Sequence, residues 1–193
     1  MRLYRFSLPL FLSLALGCAA TPPPVPPPAW TFASASPASG KELRMRSGTR
    51  YIQVSIEGDT IYGPDWSLSH GGTFIRGYGP GKLAVQITLK GTHAEGNMLN
   101  APFSVDLKPP DNSVTNVSGL FGGGQISDFK ISQGAFQGYL GQCAYDLKYN
   151  GTRYEGMSTC YGSITPTSLD LPVAMATWTD LEVATVLAIV LAS

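Results

Sequence analysis

The sequence predicts an all-β protein: an antiparallel meander of about 10–12 short strands in β-hairpin repeats, closed or partly closed into a barrel, with a short C-terminal helix. Three observations carry this. From about Arg50 to Leu169, short stretches alternate apolar and polar residues with period two. Most connections between them are short and rich in glycine. No helical pattern separates them, so neighbours in sequence pair as neighbours in space. A meander this long must manage its edges, and closure removes them. A β-sandwich is the alternative, and an open single-layer or solenoid repeat comes third.

Met1 to Ala20 reads as a targeting segment. Arg2 and Arg5 form a positive start, Phe6 to Gly17 is a short apolar run, and Ala15-Leu16-Gly17-Cys18 closes it. The run is shorter than the ~20 residues a membrane span needs. These residues resemble the lipobox of bacterial lipoproteins, with Ala15 in place of the commoner leucine. The resemblance covers residues 1–18 only. It implies a signal peptide over 1–17 and an acylated Cys18, carrying palmitate-type chains, as the mature N-terminus. Ala19 rather than aspartate after the cysteine implies, by likeness to Gram-negative sorting, the outer membrane. An ordinary secretory signal is the rival reading.

Residues 18–40 read as the lipidated cysteine and its tether. Thr21 to Pro28 (TPPPVPPP) is a proline-rich, extended, semi-rigid spacer. Lys41, Arg44, Arg46 and Arg50 form a local basic group, expected as a solvated first strand or linker. Residues 41–193 read as one β-rich domain.

Candidate strands are Tyr51–Glu57, Thr60–Ser69, Thr73–Tyr78, Lys82–Lys90, His93–Leu99, Pro102–Lys108, Val114–Phe121, Gln125–Gln133, Phe136–Leu140, Cys143–Asn150 and Arg153–Tyr161. The last pair is the most informative. A turn on Asn150-Gly151 would oppose Lys148 with Arg153 and Asp146 with Glu155, both unfavourable. A turn on Gly151-Thr152, glycine first, opposes Lys148 with Glu155, Leu147 with Gly156 and Cys143 with Cys160. Charge and sulfur agree on the second. The same rule opposes Val54 with Gly63, Leu68 with Gly77, Ile87 with Gly96 and Ile131 with Gly138. An aliphatic residue meets a glycine each time, as volume complementarity or at a strand bend.

With Cys18 assigned to the lipobox, Cys143 and Cys160 remain as an even pair in an oxidising compartment, expected as a disulfide. A metal site is the rival, disfavoured because the chain has only His70 and His93 and no C-x-x-C. At the C-terminus, Thr179-Asp180-Leu181-Glu182 fits a capping box before an apolar run, placing a helix at about 180–192. A helix apolar all round is buried, here as a barrel plug or against the sheet, with a partner-docking helix as the sharper reading. Val183, Val186, Ile189 and Val190 also leave a terminal strand open.

Composition excludes several functions. Without Arg2 and Arg5 the 13 basic residues fall to 11 against 13 acidic ones. No basic face for nucleic acid emerges. Asp146, Lys148, Arg153 and Glu155 share a polar strand face, which a lipid-facing band would not carry. There is no G-x-S-x-G. Gly77 to Leu83 (GYGPGKL) lacks the first glycine and the hydroxyl of a phosphate loop. Ser127-Asp128-Phe129-Lys130 matches S-x-x-K without its companion motifs. No catalytic residue, metal ligand or cofactor is assigned. Among the histidines, His70 reads as a turn residue and His93 as solvated. Tyr145, Tyr149 and Tyr154 fall on the apolar strand face. Tyr139 and Tyr161 fall on the other, and with Trp66 they are the candidate exposed binding aromatics.

The expected function is that of an outer-membrane lipoprotein on the periplasmic or surface side, acting as a non-enzymatic interaction or structural module. Its partners would be the membrane, through its lipid, and other envelope proteins. The alternative is a carrier of a small apolar ligand. That reading is loosely similar to lipocalins, whose G-x-W signature Gly63-Pro64-Asp65-Trp66 approximates with one residue too many. An envelope hydrolase comes last.

Overall fold

A computed structural model describes residues 40–111, 114–121 and 125–192. The signal segment, Cys18 and the proline-rich tether lie outside the described residues. Fourteen antiparallel strands form a closed barrel. They are β1 (Glu42–Ser47), β2 (Arg50–Glu57), β3 (Thr60–Tyr62), β4 (Ser67–Gly71), β5 (Phe74–Tyr78), β6 (Ala84–Lys90) and β7 (His93–Met98). Then follow β8 (Ala101–Asp111), β9 (Val114–Phe121), β10 (Gln125–Ile131), β11 (Ala135–Leu140), β12 (Cys143–Tyr149), β13 (Tyr154–Cys160) and β14 (Ser163–Asp170). Each pairs with its sequence neighbours, and β1 closes the ring on β14 through Arg44↔Asp170 to Ser47↔Thr167.

The count exceeds the expected 10–12 for two reasons. Gly63 and Pro64 divide Thr60–Ser69 into β3 and β4, since proline cannot continue the ladder. The closing strands β1 and β14 add two more. The basic group is therefore largely strand: Leu43 and Met45 point in, Arg44 and Arg46 point out.

Helix α1 (Asp180–Ala192) runs through the lumen, with every residue from Leu181 to Leu191 buried. Its neighbours come from strands all round the wall: Arg50 on β2, His70 on β4, Thr115 on β9, and Gly141 just past β11. An eight-stranded barrel is filled by its own side chains, whereas much wider ones leave a channel. Fourteen strands fall between, and a helix about 10–12 Å across fills the difference. Burial on all sides overrides the β-preference of Val183, Val186, Ile189 and Val190. The capping box forms: Glu182 accepts the Thr179 N–H at 2.7 Å, and the Thr179 hydroxyl accepts the Glu182 N–H at 3.3 Å. At the other end Arg50 donates to the Leu191 carbonyl at 3.0 Å, placing a cation at the negative pole of the helix. Arg50 thus turns inward rather than joining a solvated basic group.

The glycine rule holds at Leu68↔Gly77, Ile87↔Gly96 and Leu147↔Gly156. Gly63 also lies against Val54, where a Cβ would come 3.1 Å from Val54 Cγ1. It fails once. Gly138 opposes Phe129, and Ile131 opposes Phe136, because the turn centres one residue earlier, on Gln133-Gly134. The longer β8–β9 connection supplies a further pair, Val105↔Gly119. So β5, β7, β9, β11 and β13 each carry an inward glycine against the backbone of the preceding strand. A Cβ at any of the five would lie 2.0–2.3 Å from that strand's carbonyl oxygen. The large residue opposite fills the space the glycine leaves.

Candidate functional site

The barrel has two unlike ends. The chain enters at the start of β1, and α1 begins at that same entry end, beside His70 and Thr115. The far end carries the short turns after β1, β11 and β13. There, on the outer wall, Tyr139, Ala144, Thr159 and Ile164 form one rung through successive partners on β11, β12, β13 and β14. Met157 and Pro166 pair on the next rung and are exposed. Tyr139 is 63% and Ile164 67% exposed. Tyr161 stands at the tip of the β13–β14 turn, 84% exposed. Residues opposite one another on a sheet face have Cβ atoms about 4.5–5.5 Å apart, so these side chains form a continuous patch.

Two features make the patch more than scattered apolar surface. Tyr161 has φ +51° and Gly162 +81°, the left-handed pair of a tight hairpin turn. A bulky side chain is disfavoured there, by about 1–2 kcal/mol. Directly behind the rung, Cys143 and Cys160 face each other across β12 and β13 and form a disulfide. They are the chain neighbours of Ala144 and Thr159, so the bond pins the two central strands of the patch.

The rest of the far rim matches it. Tyr51, Tyr62, Tyr78, Leu83 and Leu120 are exposed at the same end. Among the described residues, the other exposed large apolar side chains are Met157 in mid-wall and Val173 at the entry end. Several outward positions beside the rim residues are small or neutral, such as Ser67, Ala84, Asn97 and Pro102, while Arg46 pairs with Tyr51 and Asp128 with Tyr139. Nearer the entry end the outward positions carry Glu57, Lys90, Lys108, Lys130, Lys148, Glu155 and Asp170.

Of the three sequence-predicted aromatics, Tyr139 and Tyr161 belong to this patch and Trp66 does not. Trp66 is only 6% exposed, folded inward at the far rim against Gly79, where a Cβ would come 2.7 Å from its ring. Trp66 falls within the candidate strand Thr60–Ser69, but that strand breaks at Gly63-Pro64 and the indole is buried in the core. Ile164, Met157 and the five further rim residues escaped the sequence reading. The available signal was that outward apolar residues sit at the same end of successive strands.

His70 is not a turn residue. It is the fourth residue of β4, buried, and points into the lumen. Its Nδ1 is 3.5 Å from Glu182 Oε1 and its ring centroid 4.0 Å from that of Trp178. The Glu182 carboxylate is already engaged by Thr179, and burial of His70 and Glu182 fits structural support of the helix start. Asp180 beside them has its carboxyl raised by burial, opposed by a hydrogen bond from Thr115. His93 lies on the outer wall with Asp106 at 2.7 Å, which raises its pKa above the ordinary imidazole value. Tyr145 and Tyr154 are core residues, and Tyr154 donates to the Ser132 carbonyl at 2.8 Å.

Ser127 points inward and Lys130 outward on β10, so the S-x-x-K residues do not meet. Among the described residues, no three His, Cys, Asp or Glu side chains cluster as metal ligands would. No family model, no curated protein and no solved structure matches the chain.

Proposed function

We propose that the chain is a lipid-anchored envelope protein whose barrel is a rigid, filled mount, and that it works by docking other envelope proteins on its outer wall. The observation that carries this reading is the apolar patch of Tyr139, Tyr161, Ile164 and Met157 above the disulfide. Interaction surfaces are enriched in tyrosine and methionine and poor in charge at their centre. The lumen is occupied by α1, which leaves the outer wall as the surface on offer, where a carrier would need the space inside. Anchoring at Cys18 rests on the lipobox-like residues, and the outer membrane on Ala19.

Photo-crosslinking tests the docking. A photoreactive residue replacing Ile164 or Tyr161 in the membrane-bound protein should give discrete protein adducts, while one replacing Ser69, on the opposite wall, should not. Adducts of equal intensity at all three positions, or none at the patch, would rule it out. Anchoring is tested separately: Cys18→Ser should release the protein from membranes and remove palmitate labelling.

A further inference from the structure

We propose that the chain's own proline-rich segment, Pro22 to Pro28, docks across the far-rim tyrosines of β3 and β5. This inference does not depend on the partner-docking reading above, because it concerns a different wall.

The surface is specific. Tyr62 and Tyr78 lie on one rung, separated by a single serine: Tyr62 pairs with Ser67 and Ser67 with Tyr78. Both tyrosines are exposed, and the small Ser67 between them leaves a trough. Two strand spacings separate the tyrosines by about 9.4–9.8 Å. A polyproline II helix repeats every three residues at 3.1 Å each, or about 9.3 Å. Tyr78 is also a ridge between two surface depressions. One, of about 430 Å³, is lined by Pro64, Asp65, Ser67 and Lys82; the other, of about 680 Å³, by Phe74, Arg76, Ala84 and Gln86. Aromatic ridges with flanking hollows are how extended proline segments are held, since that helix is preformed and loses little entropy on binding. On the β11–β14 wall the rung carries one tyrosine, so the paired spacing is absent there.

The occupant is within reach and chemically matched. Gly40 lies at the entry end, where its carbonyl accepts the Val173 N–H at 3.3 Å. Eleven residues, 29–39, separate it from Pro28. Extended, they span about 36 Å, whereas a strand of eight residues rises about 27 Å. Pro28 can therefore reach the far rim along the wall beside β1. No residue from Ala19 to Gly40 is charged, and the rung is neutral from Ser55 through Tyr62, Ser67 and Tyr78 to Ala84, with Glu42 next beyond Ser55.

The test uses the full mature chain with Cys18→Ser and Val25→Cys. Cys143 and Cys160 are bonded to each other, so a spin label attaches at position 25 alone. Paramagnetic broadening of backbone amides should centre on residues 62, 67 and 78. It should disappear in Tyr78→Ala, whose undisturbed amide spectrum elsewhere verifies folding, and when Pro22–Pro24 and Pro26–Pro28 become serines. Tyr161→Ala should leave it unchanged, which separates this proposal from the partner patch. Broadening spread evenly over the wall, or centred on Tyr139, would overturn it. So would broadening that passes from a labelled to an unlabelled chain in a mixture, which would assign the surface to a second copy. Loss of the broadening on adding phosphatidylethanolamine–phosphatidylglycerol vesicles, with Tyr62 and Tyr78 then protected, would assign it to a membrane.

Discussion

The β10–β11 and β12–β13 hairpins are neighbours with an inward glycine each, yet glycine takes different places in their turns. In β12–β13 the turn is Asn150-Gly151-Thr152-Arg153, with glycine first of the central pair. Asn150 Oδ1 accepts the N–H groups of Thr152 and Arg153 at 3.0 and 3.1 Å. In β10–β11 the turn is Ser132-Gln133-Gly134-Ala135, with glycine second. Here Ser132 Oγ accepts the N–H groups of Gly134 and Ala135 at 3.3 and 3.1 Å. The hydrogen-bond pattern is the same. A short polar side chain at the first turn position sets the register, and glycine follows where the backbone tolerates it. Reading the oxygen rather than the glycine places both hairpins.

The largest expected effect treats the two hairpins alike. A Cβ at Gly138 would lie 2.3 Å from the Asp128 carbonyl oxygen, and at Gly156 2.1 Å from that of Asp146. Neither backbone atom can move without breaking a ladder that closes on itself. Gly138→Val and Gly156→Val should each cost more than about 4 kcal/mol and abolish the folded barrel, read by loss of the cooperative thermal transition. A near-normal melt in one of them would mean that its strand pair can spread, and that the inward glycines are not equivalent.

Next comes a difference between the hairpins. Only β12–β13 carries a disulfide. Cys143→Ser with Cys160→Ser should lower stability by roughly 3 kcal/mol in the chain-entropy description, measured by denaturant unfolding with and without reductant. A smaller loss would assign the hairpin's rigidity to the surrounding barrel rather than to the bond.

The contrast also marks what a sequence can convey. Hairpins, the capping box at Thr179–Glu182 and the Cys143–Cys160 pairing are local, set by residues within one turn or one hairpin of each other. Barrel closure is not. Leu43, Arg44, Met45 and Arg46 alternate as a strand should, but their partners on β14 lie more than 100 positions away, so the sequence leaves a solvated first strand and a linker both open. Tyr161 is exposed on a turn, and strand parity correctly sends Tyr139 outward. It is silent on which end of a barrel they share, so the rim of Tyr51, Tyr62, Tyr78 and Leu120 becomes visible only once alternating strand directions are laid side by side. Trp66 and His70 fail for a related reason. Each sits beside residues that favour turns, and each is drawn inward by a lumen that exists only after closure.

The turn oxygens give the third prediction. Ser132→Ala and Asn150→Ala each remove a side-chain acceptor of two backbone N–H groups, and each should cost about 1 kcal/mol, seen as similar shifts in the denaturation midpoint. A neutral Asn150→Ala beside a costly Ser132→Ala would return the β12–β13 turn to its leading glycine and break the equivalence.

The smallest effect tests the charge argument that chose the register. Lys148 faces Glu155 across β12–β13, whereas Lys130 faces the neutral Gln137 across β10–β11. Lys148→Glu should therefore cost about 0.5 kcal/mol at low salt, and Lys130→Glu close to nothing. Adding Glu155→Lys to Lys148→Glu should recover part of the loss. The recovery is incomplete because Glu155 also accepts from Arg153 Nε and from Asn150 Nδ2. Both pairs are exposed, so the difference between the two lysines should shrink as salt is raised. A difference that persists at high salt would mean that Lys148 acts through the packing of its methylene stem, and that charge was not what distinguished the two registers.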